Sequence, residues 1–169
     1  MNSQITGKSK IKTAIISNLI EPVSNKYLSI FRALAFSLMA IEVSEMRIGG
    51  YFHHVLAGTK VRFPYEFLPI GREFTESQVD LLVGIVILSA LFCAIGFMYR
   101  YSKWVLLVSY TYLFFQDKMF WNNHWYLFLL LAILAVLIDL GKNYSIDVLV
   151  KPADRLTVVP RWHYHVFIL

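Results

Sequence analysis

The sequence DKMFWNNHWYL at residues 117–127 is a dense polar and aromatic block that lies between two long apolar segments. Polar groups cost a large amount of free energy inside a membrane, so those that occur beside membrane segments usually mark a working site. The block therefore predicts both a membrane protein and the region in which its function lies.

The composition supports a membrane protein. Hydrophobic residues make up 57% of the 169-residue chain, whereas about half of the residues are hydrophobic in a usual soluble domain. The mean hydropathy of the chain is +0.56. The net charge of +5 does not indicate nucleic acid, because the basic residues lie mainly beside apolar runs. The single cysteine, Cys93, excludes an intrachain disulfide and is expected to pack in the core.

Four segments approach the roughly 20 apolar residues that a membrane helix needs. The predicted spans are Tyr27–Met46, Val79–Met98, Trp104–Gln116 and Trp125–Ile138, and an apolar run at residues 162–169 predicts the start of a fifth. Because the last two spans are short, we expect the block to supply their last and first turns. The fold class is thus an all-α polytopic membrane bundle, with residues 1–26 as a basic cytosolic tail and residues 27–169 as one membrane domain.

The distribution of positive charge predicts the orientation of the spans. Ten basic residues lie on one side of the predicted spans and five on the other. Since cytosolic loops carry the excess of Lys and Arg, both termini are expected in the cytosol. The block and the loop of residues 47–78 are then expected on the outer face.

The sequence is compatible with two conformations of the block itself. If the third span stays helical, Asp117, Trp121 and His124 fall on one stripe, in which a carboxylate could fix an imidazole tautomer. The alternative, which spacing alone favours, is a wet interfacial turn. In that case Asn122 or Asn123 caps the fourth helix and the aromatic residues form an interfacial belt.

Charged residues within the first span are expected to have structural roles. Arg32 is predicted to snorkel to the cytosolic headgroups. Glu42 and Glu45 share a helix face and are predicted to pair with outer-loop cations such as Arg62.

Other kinds of site have little support. The histidine pairs at residues 53–54 and 163/165 diverge on a helix and have no partner at ligand spacing, so no metal site is predicted. The motifs of hydrolases, nucleotide-binding proteins and zinc proteases do not occur.

The block, together with segments along the rest of the chain, resembles the signature of the vitamin K-dependent gamma-glutamyl carboxylases and their bacterial relatives, the HTTM membrane domain family. The resemblance covers about residues 27–165 in order. The matching segments are Phe31-Arg32 with Met39 and Glu42, Arg62-Phe63-Pro64, residues 96–102, Asp117-Lys118, residues 121–124, Tyr126-Leu127, and residues 144–147 with Pro160 and Trp162.

This resemblance implies a reaction in which vitamin K hydroquinone is oxygenated to its epoxide. The strong base so formed removes a proton from the gamma carbon of a peptide glutamate, and the carbanion adds carbon dioxide. Oxygen and carbon dioxide are thus co-substrates. The implied catalytic residues are Asp117, Trp121, Asn123 and His124, with His124 polarising a reacting oxygen or carbanion. The implied cofactor-binding residues are Arg62, Trp125 and Tyr126.

The chain departs from the family pattern after Trp162. The lysine that deprotonates the hydroquinone in the family lies in the span that follows, beyond Leu169. We therefore expect an incomplete site. The expected partners are the lipid bilayer and, in addition, either a glutamate-containing peptide or a complementing C-terminal chain. Two alternatives stay open: a non-catalytic membrane fragment or small interaction protein that keeps the helical core, and different chemistry on a lipid-like substrate.

Overall fold

Four helices form the body of the molecule in the computed structural model, which describes residues 17–58, 63, 65–66 and 74–168. Their bounds are α1 Lys26–Ile48, α2 Glu76–Ile95, α3 Tyr99–Phe114 and α4 Asn123–Leu137. The shorter helices are α5 Ile146–Val150 and α6 Trp162–Ile168. A single α-helical turn at Tyr51–His53 continues into a π turn at His54–Gly58, and 3₁₀ turns lie at Lys118–Phe120, Leu140–Lys142 and Pro152–Asp154. The four predicted helical segments are therefore confirmed.

Helices that follow each other in the chain are neighbours in space. The helix α1 packs on α2, α2 on α3, and α3 on α4. The buried face of α2 carries Val79, Val83, Val86 and Ala90, which recur at the spacing of one helical face. Hydrophobic periodicity thus builds a core between consecutive antiparallel helices.

Local capping explains why α2 and α3 do not have the predicted bounds. The Thr75 hydroxyl accepts a hydrogen bond from Gln78 N, and the Gln78 side chain accepts one from Thr75 N, so α2 begins before its first apolar residue. The helix ends at Ile95 and is capped by Gly96, whose φ of 69° is in the left-handed region. The Asp147 carboxylate then accepts hydrogen bonds from the first N–H groups of α3, which starts at Tyr99 and not at Trp104.

A two-stranded antiparallel ribbon modifies the all-α prediction. Strand β1, Pro22–Ser24, pairs with β2, Val158–Pro160. Arg161 extends the link through an ion pair with Glu21 at 2.8 Å. The ribbon was not predicted because three-residue strands have no detectable alternation.

Arg32 does not snorkel to a membrane surface. The side chain is fully buried, and it donates hydrogen bonds to Cys93 O at 2.8 Å and to Tyr144 O at 2.7 Å. Gly96 lies directly against it, since a Cβ atom there would be 2.4 Å from Arg32 Nη1. The prediction was wrong because Arg32 has backbone carbonyl acceptors inside the protein, which replace the headgroups.

Two helices are long and apolar enough to cross a membrane. Among the described residues these are α1, with 23 residues and a mean hydropathy of 1.4, and α2, with 20 residues and 2.3. At 1.5 Å per residue, α3 and α4, with 16 and 15 residues, are about 24 and 22 Å long. Both are shorter than the roughly 30 Å hydrocarbon core of a bilayer.

Candidate functional site

The polar block is not a continuation of α3. The helix ends at Phe114, Asp117 is extended with φ −151° and ψ 144°, and a 3₁₀ turn follows at Lys118–Phe120. The predicted stripe of Asp117, Trp121 and His124 therefore does not form. Instead, the Asn122 side chain accepts a hydrogen bond from Trp125 N at 2.9 Å and starts α4, which confirms the Asn cap expected in the interfacial-turn alternative. Only the first turn of α4 comes from the block.

Asp117 joins the block to the preceding loop. Its buried carboxylate accepts hydrogen bonds from Met119 N at 2.9 Å and from Phe63 N at 3.0 Å. Lys118 N donates in return to Phe63 O at 2.9 Å. Asp117 is thus a positioning residue for the segment at Phe63, and the adjacent Arg62 lies outside the described residues.

His124 pairs with a carboxylate from another helix. Its Nε2 lies 3.3 Å from Glu42 Oε1, and the two side chains are 56% and 32% exposed. Glu42 was predicted to pair with an outer-loop cation such as Arg62, but the partner in the described structure is His124. Since Glu42 is on α1 and His124 on α4, the pair connects the first and last long helices.

Trp125 is a core residue of this region. It is 1% exposed, and its ring stacks on Tyr110 and Phe120 with centroid distances of 5.6 and 5.2 Å. Tyr110 also donates a hydrogen bond to Trp125 O at 3.1 Å. The Trp125 Nε1–H group is buried without a hydrogen-bond partner. A buried donor of this kind is costly unless a ligand or water satisfies it.

Trp121 and Tyr126 form an exposed aromatic pair. Their rings stack at 5.5 Å, and the residues are 60% and 42% exposed. The neighbouring Asn123 is the first residue of α4 and is exposed. The site residues predicted from sequence therefore divide into a buried group, Asp117 and Trp125, and an exposed group that comprises Trp121, Asn123, His124 and Tyr126.

Two tyrosines near Asp117 have perturbed phenol groups. Burial, followed by the negative charge of Asp117, raises the pKa of Tyr51 and of Tyr65. Both phenols are therefore neutral at physiological pH, and the Tyr51 hydroxyl donates to Met119 O at 3.3 Å.

The sequence interpretation missed Tyr110 and the partner of His124. A usable signal for Tyr110 was its position three or four residues from Leu106 and Leu113, on the buried face of α3. No comparable signal exists for the pairing of Glu42 with His124, because the two are far apart in sequence.

Comparison with known proteins identifies a family. A family model described as HTTM domain matches residues 20–169. No solved structure matches the chain. Within the described part of the chain, no group of three His, Cys, Asp or Glu side chains could hold a metal ion.

Proposed function

Because the chain belongs to the HTTM domain family, which is found in vitamin K-dependent carboxylases and related proteins, we propose that it forms a membrane site for reduced vitamin K. The site serves gamma-carboxylation of peptide glutamate. The four long helices all cross the bilayer, both termini are cytosolic, and the block at residues 117–127 is on the outer face.

The outer surfaces of the helices support insertion into a bilayer. Large apolar residues on all four long helices are well exposed, including Leu34 at 67%, Leu81 at 66%, Val108 at 65% and Leu137 at 69%. A soluble protein of this size rarely exposes contiguous apolar faces on every helix. The short α3 and α4 can cross a bilayer that thins locally around them.

The observation that carries the proposal is the pair of His124 and Glu42. Glu42 lies six residues before the end of α1, which corresponds to about 9 Å below that end. An ionisable pair at membrane depth is expensive and is typical of a working site. Glu42 can accept a hydrogen bond from Nε2–H of His124, which fixes that tautomer and leaves Nδ1 as an acceptor for a substrate hydroxyl.

The surrounding residues fit an aromatic quinol. Trp121 and Tyr126 offer an exposed stacked surface against which a fused ring system can pack. The unpartnered Trp125 Nε1–H can donate to a quinol oxygen after a small rearrangement. An isoprenoid tail would lie along the apolar outer faces of the helices.

Reduced vitamin K, when bound and oxygenated, supplies the strong base that takes the glutamate gamma proton. The protein contributes orientation and exclusion of water, and His124 Nδ1, left as an acceptor when Glu42 holds Nε2–H, accepts a hydrogen bond from the quinol hydroxyl. Asp117 holds the segment at Phe63 against the site and does not touch substrate in this account.

Binding of the quinol tests the proposal without turnover. Wild-type protein in lipid nanodiscs is titrated with vitamin K hydroquinone under anaerobic conditions, and quenching of tryptophan fluorescence reports binding. We expect saturable binding that His124→Ala weakens about tenfold, the effect of one hydrogen bond to a charged or strongly polar group. His165→Ala, which changes an exposed histidine outside the site, is the matched control.

Turnover is measured in the same preparations, alone and supplemented with the C-terminal segment of a carboxylase of this family. Labelled carbon dioxide incorporated into a glutamate peptide reports carboxylation, and vitamin K epoxide reports oxygenation. We expect both products in the supplemented preparation and loss of both with His124→Ala. Absence of quinol binding by wild-type protein would refute the proposal and favour an interaction protein that keeps the helical core.

A further inference from the structure

A second polar region lies at the opposite end of the bundle from His124, where Gly96 joins α2 to α3. A cavity of about 790 Å³ opens there between the first turns of α3, the turn Leu140–Lys142 and α5. We call it the headgroup cavity. It shares no residue with the candidate site at residues 117–127 and is unused in the proposed function.

Positive charge predominates around the headgroup cavity. Four basic residues line it: Arg100, Lys103, Lys142 and Lys151. Only Lys142 has a carboxylate partner among the described residues, Asp139 at 3.8 Å. Lys103 Nζ donates to Val136 O at 3.3 Å and keeps two further donors. Three cationic groups are therefore available to an anion.

Two of the three carboxylates that line the cavity already have partners in the protein. Asp147 accepts two backbone hydrogen bonds of 2.8 Å from the start of α3, which compensate its charge. Asp139 is the partner of Lys142, and Asp154 is exposed. The cavity lining thus has more available cations than available carboxylates.

Tyr99 provides an independent indication of a ligand. The residue lines the cavity and is 2% exposed, yet its hydroxyl has no hydrogen-bond partner. Lys103 Nζ lies 5.6 Å from the centre of its ring. A buried hydroxyl without a partner is unfavourable, and a phosphate oxygen in the cavity would satisfy it after a small shift of the Tyr99 side chain.

An apolar groove adjoins the headgroup cavity. The groove has a volume of about 520 Å³ and is lined by residues of α2 and α3, including Leu82, Ile85, Val105 and Val108. Trp104 lines both the groove and the cavity and is 53% exposed. Tryptophan at such a boundary is typical of the level of lipid headgroups. A polar cavity that continues into an apolar groove matches an amphiphile and not a free ion.

We propose that the headgroup cavity binds the phosphate of an anionic phospholipid, one acyl chain of which lies in the groove between α2 and α3. Basic pockets between membrane helices on the cytosolic side suit such headgroups. The inference rests on the membrane embedding in the proposed function and is independent of the carboxylation chemistry.

Native mass spectrometry tests this site. The protein is released from nanodiscs that contain equal amounts of phosphatidylglycerol and phosphatidylcholine, and the retained lipids are counted at increasing collision energy. Wild-type protein is expected to retain one phosphatidylglycerol in preference to phosphatidylcholine. The double variant Arg100→Gln/Lys151→Gln is expected to weaken retention about 25-fold, because each cation near the surface contributes about fivefold.

Two further variants separate binding from folding. Tyr99→Phe removes only an unpartnered hydroxyl, so it should leave the melting temperature unchanged and weaken phosphatidylglycerol binding about fivefold. Lys26→Gln, an exposed lysine at the same end of the bundle outside the cavity, should change neither. Equal retention of the two lipids, or an equal loss with Lys26→Gln, would overturn the inference.

Inorganic phosphate and quinol binding complete the experiment. Millimolar phosphate should not displace the lipid, and full displacement would show a phosphate site instead. Vitamin K hydroquinone binding is measured on the same samples. If the wild-type protein shows no lipid selectivity but binds the quinol, this inference alone is rejected. If it shows lipid selectivity but does not bind the quinol, the proposed function alone is rejected.

Discussion

Substitution of Gly96 by alanine should strongly destabilise the fold. The residue has a φ of 69°, which costs an alanine about 1–2 kcal/mol. A Cβ atom there would lie 2.3 Å from Ser145 Cβ and 2.4 Å from Arg32 Nη1, well inside normal contact distance. Overpacking of this kind costs about 1–3 kcal/mol. The free energy of unfolding should therefore fall by about 2–5 kcal/mol.

Two other glycines separate the cost of backbone strain from the cost of overpacking. Gly50 has a φ of 71° but no atom within 4 Å of an added Cβ, so Gly50→Ala should cost only the backbone strain of about 1–2 kcal/mol. Gly84 lies within α2 with no such atom and no positive φ. Gly84→Ala should therefore be neutral or stabilise the protein by up to about 1 kcal/mol.

The assay is reversible unfolding in mixed micelles of a mild detergent and sodium dodecyl sulfate, followed by near-ultraviolet circular dichroism. From the most to the least stable, the expected order is Gly84→Ala, wild type, Gly50→Ala and Gly96→Ala. If Gly96→Ala loses no more stability than Gly50→Ala, the close packing of Arg32 against the turn is refuted.

The other stability predictions use the same assay. Asn122→Ala should cost about 1 kcal/mol through loss of the α4 cap, whereas Asn123→Ala should be nearly neutral. Arg32→Met should cost about 3 kcal/mol because two carbonyl acceptors lose a charged donor, and Arg32→Lys should cost less because one ammonium group retains a hydrogen bond. Asp117→Ala should cost about 1–3 kcal/mol because two backbone donors are left without an acceptor. Equal stability of the two Arg32 variants, or no loss with Asp117→Ala, would contradict these assignments.

The existence of the four helices followed from the sequence, but their ends did not. Apolar periodicity identifies a buried helical face, as at Val79, Val83 and Val86. The start of α3, by contrast, depends on Asp147, which lies almost 50 residues away in the chain. Capping by a distant residue leaves no local signature.

In the block at residues 117–127, too, local contacts were predictable from the sequence and contacts with distant residues were not. Asn122 has a local capping role, which spacing indicated correctly. The assignment of Asp117 to His124 failed because that carboxylate already accepts hydrogen bonds from two backbone groups, Met119 N nearby and Phe63 N in the preceding loop. The pairing of His124 with Glu42 depends on the packing of α1 and α4, which a pattern in one segment does not contain.

A double-mutant cycle on Glu42 and His124 tests the central claim most directly. Binding of vitamin K hydroquinone is measured for wild type, Glu42→Gln, His124→Ala and the double variant in nanodiscs. If Glu42 acts by orienting His124, each single variant weakens binding and the double variant is no weaker than His124→Ala. Additive losses, or unchanged binding in all three variants, would contradict the account of the site.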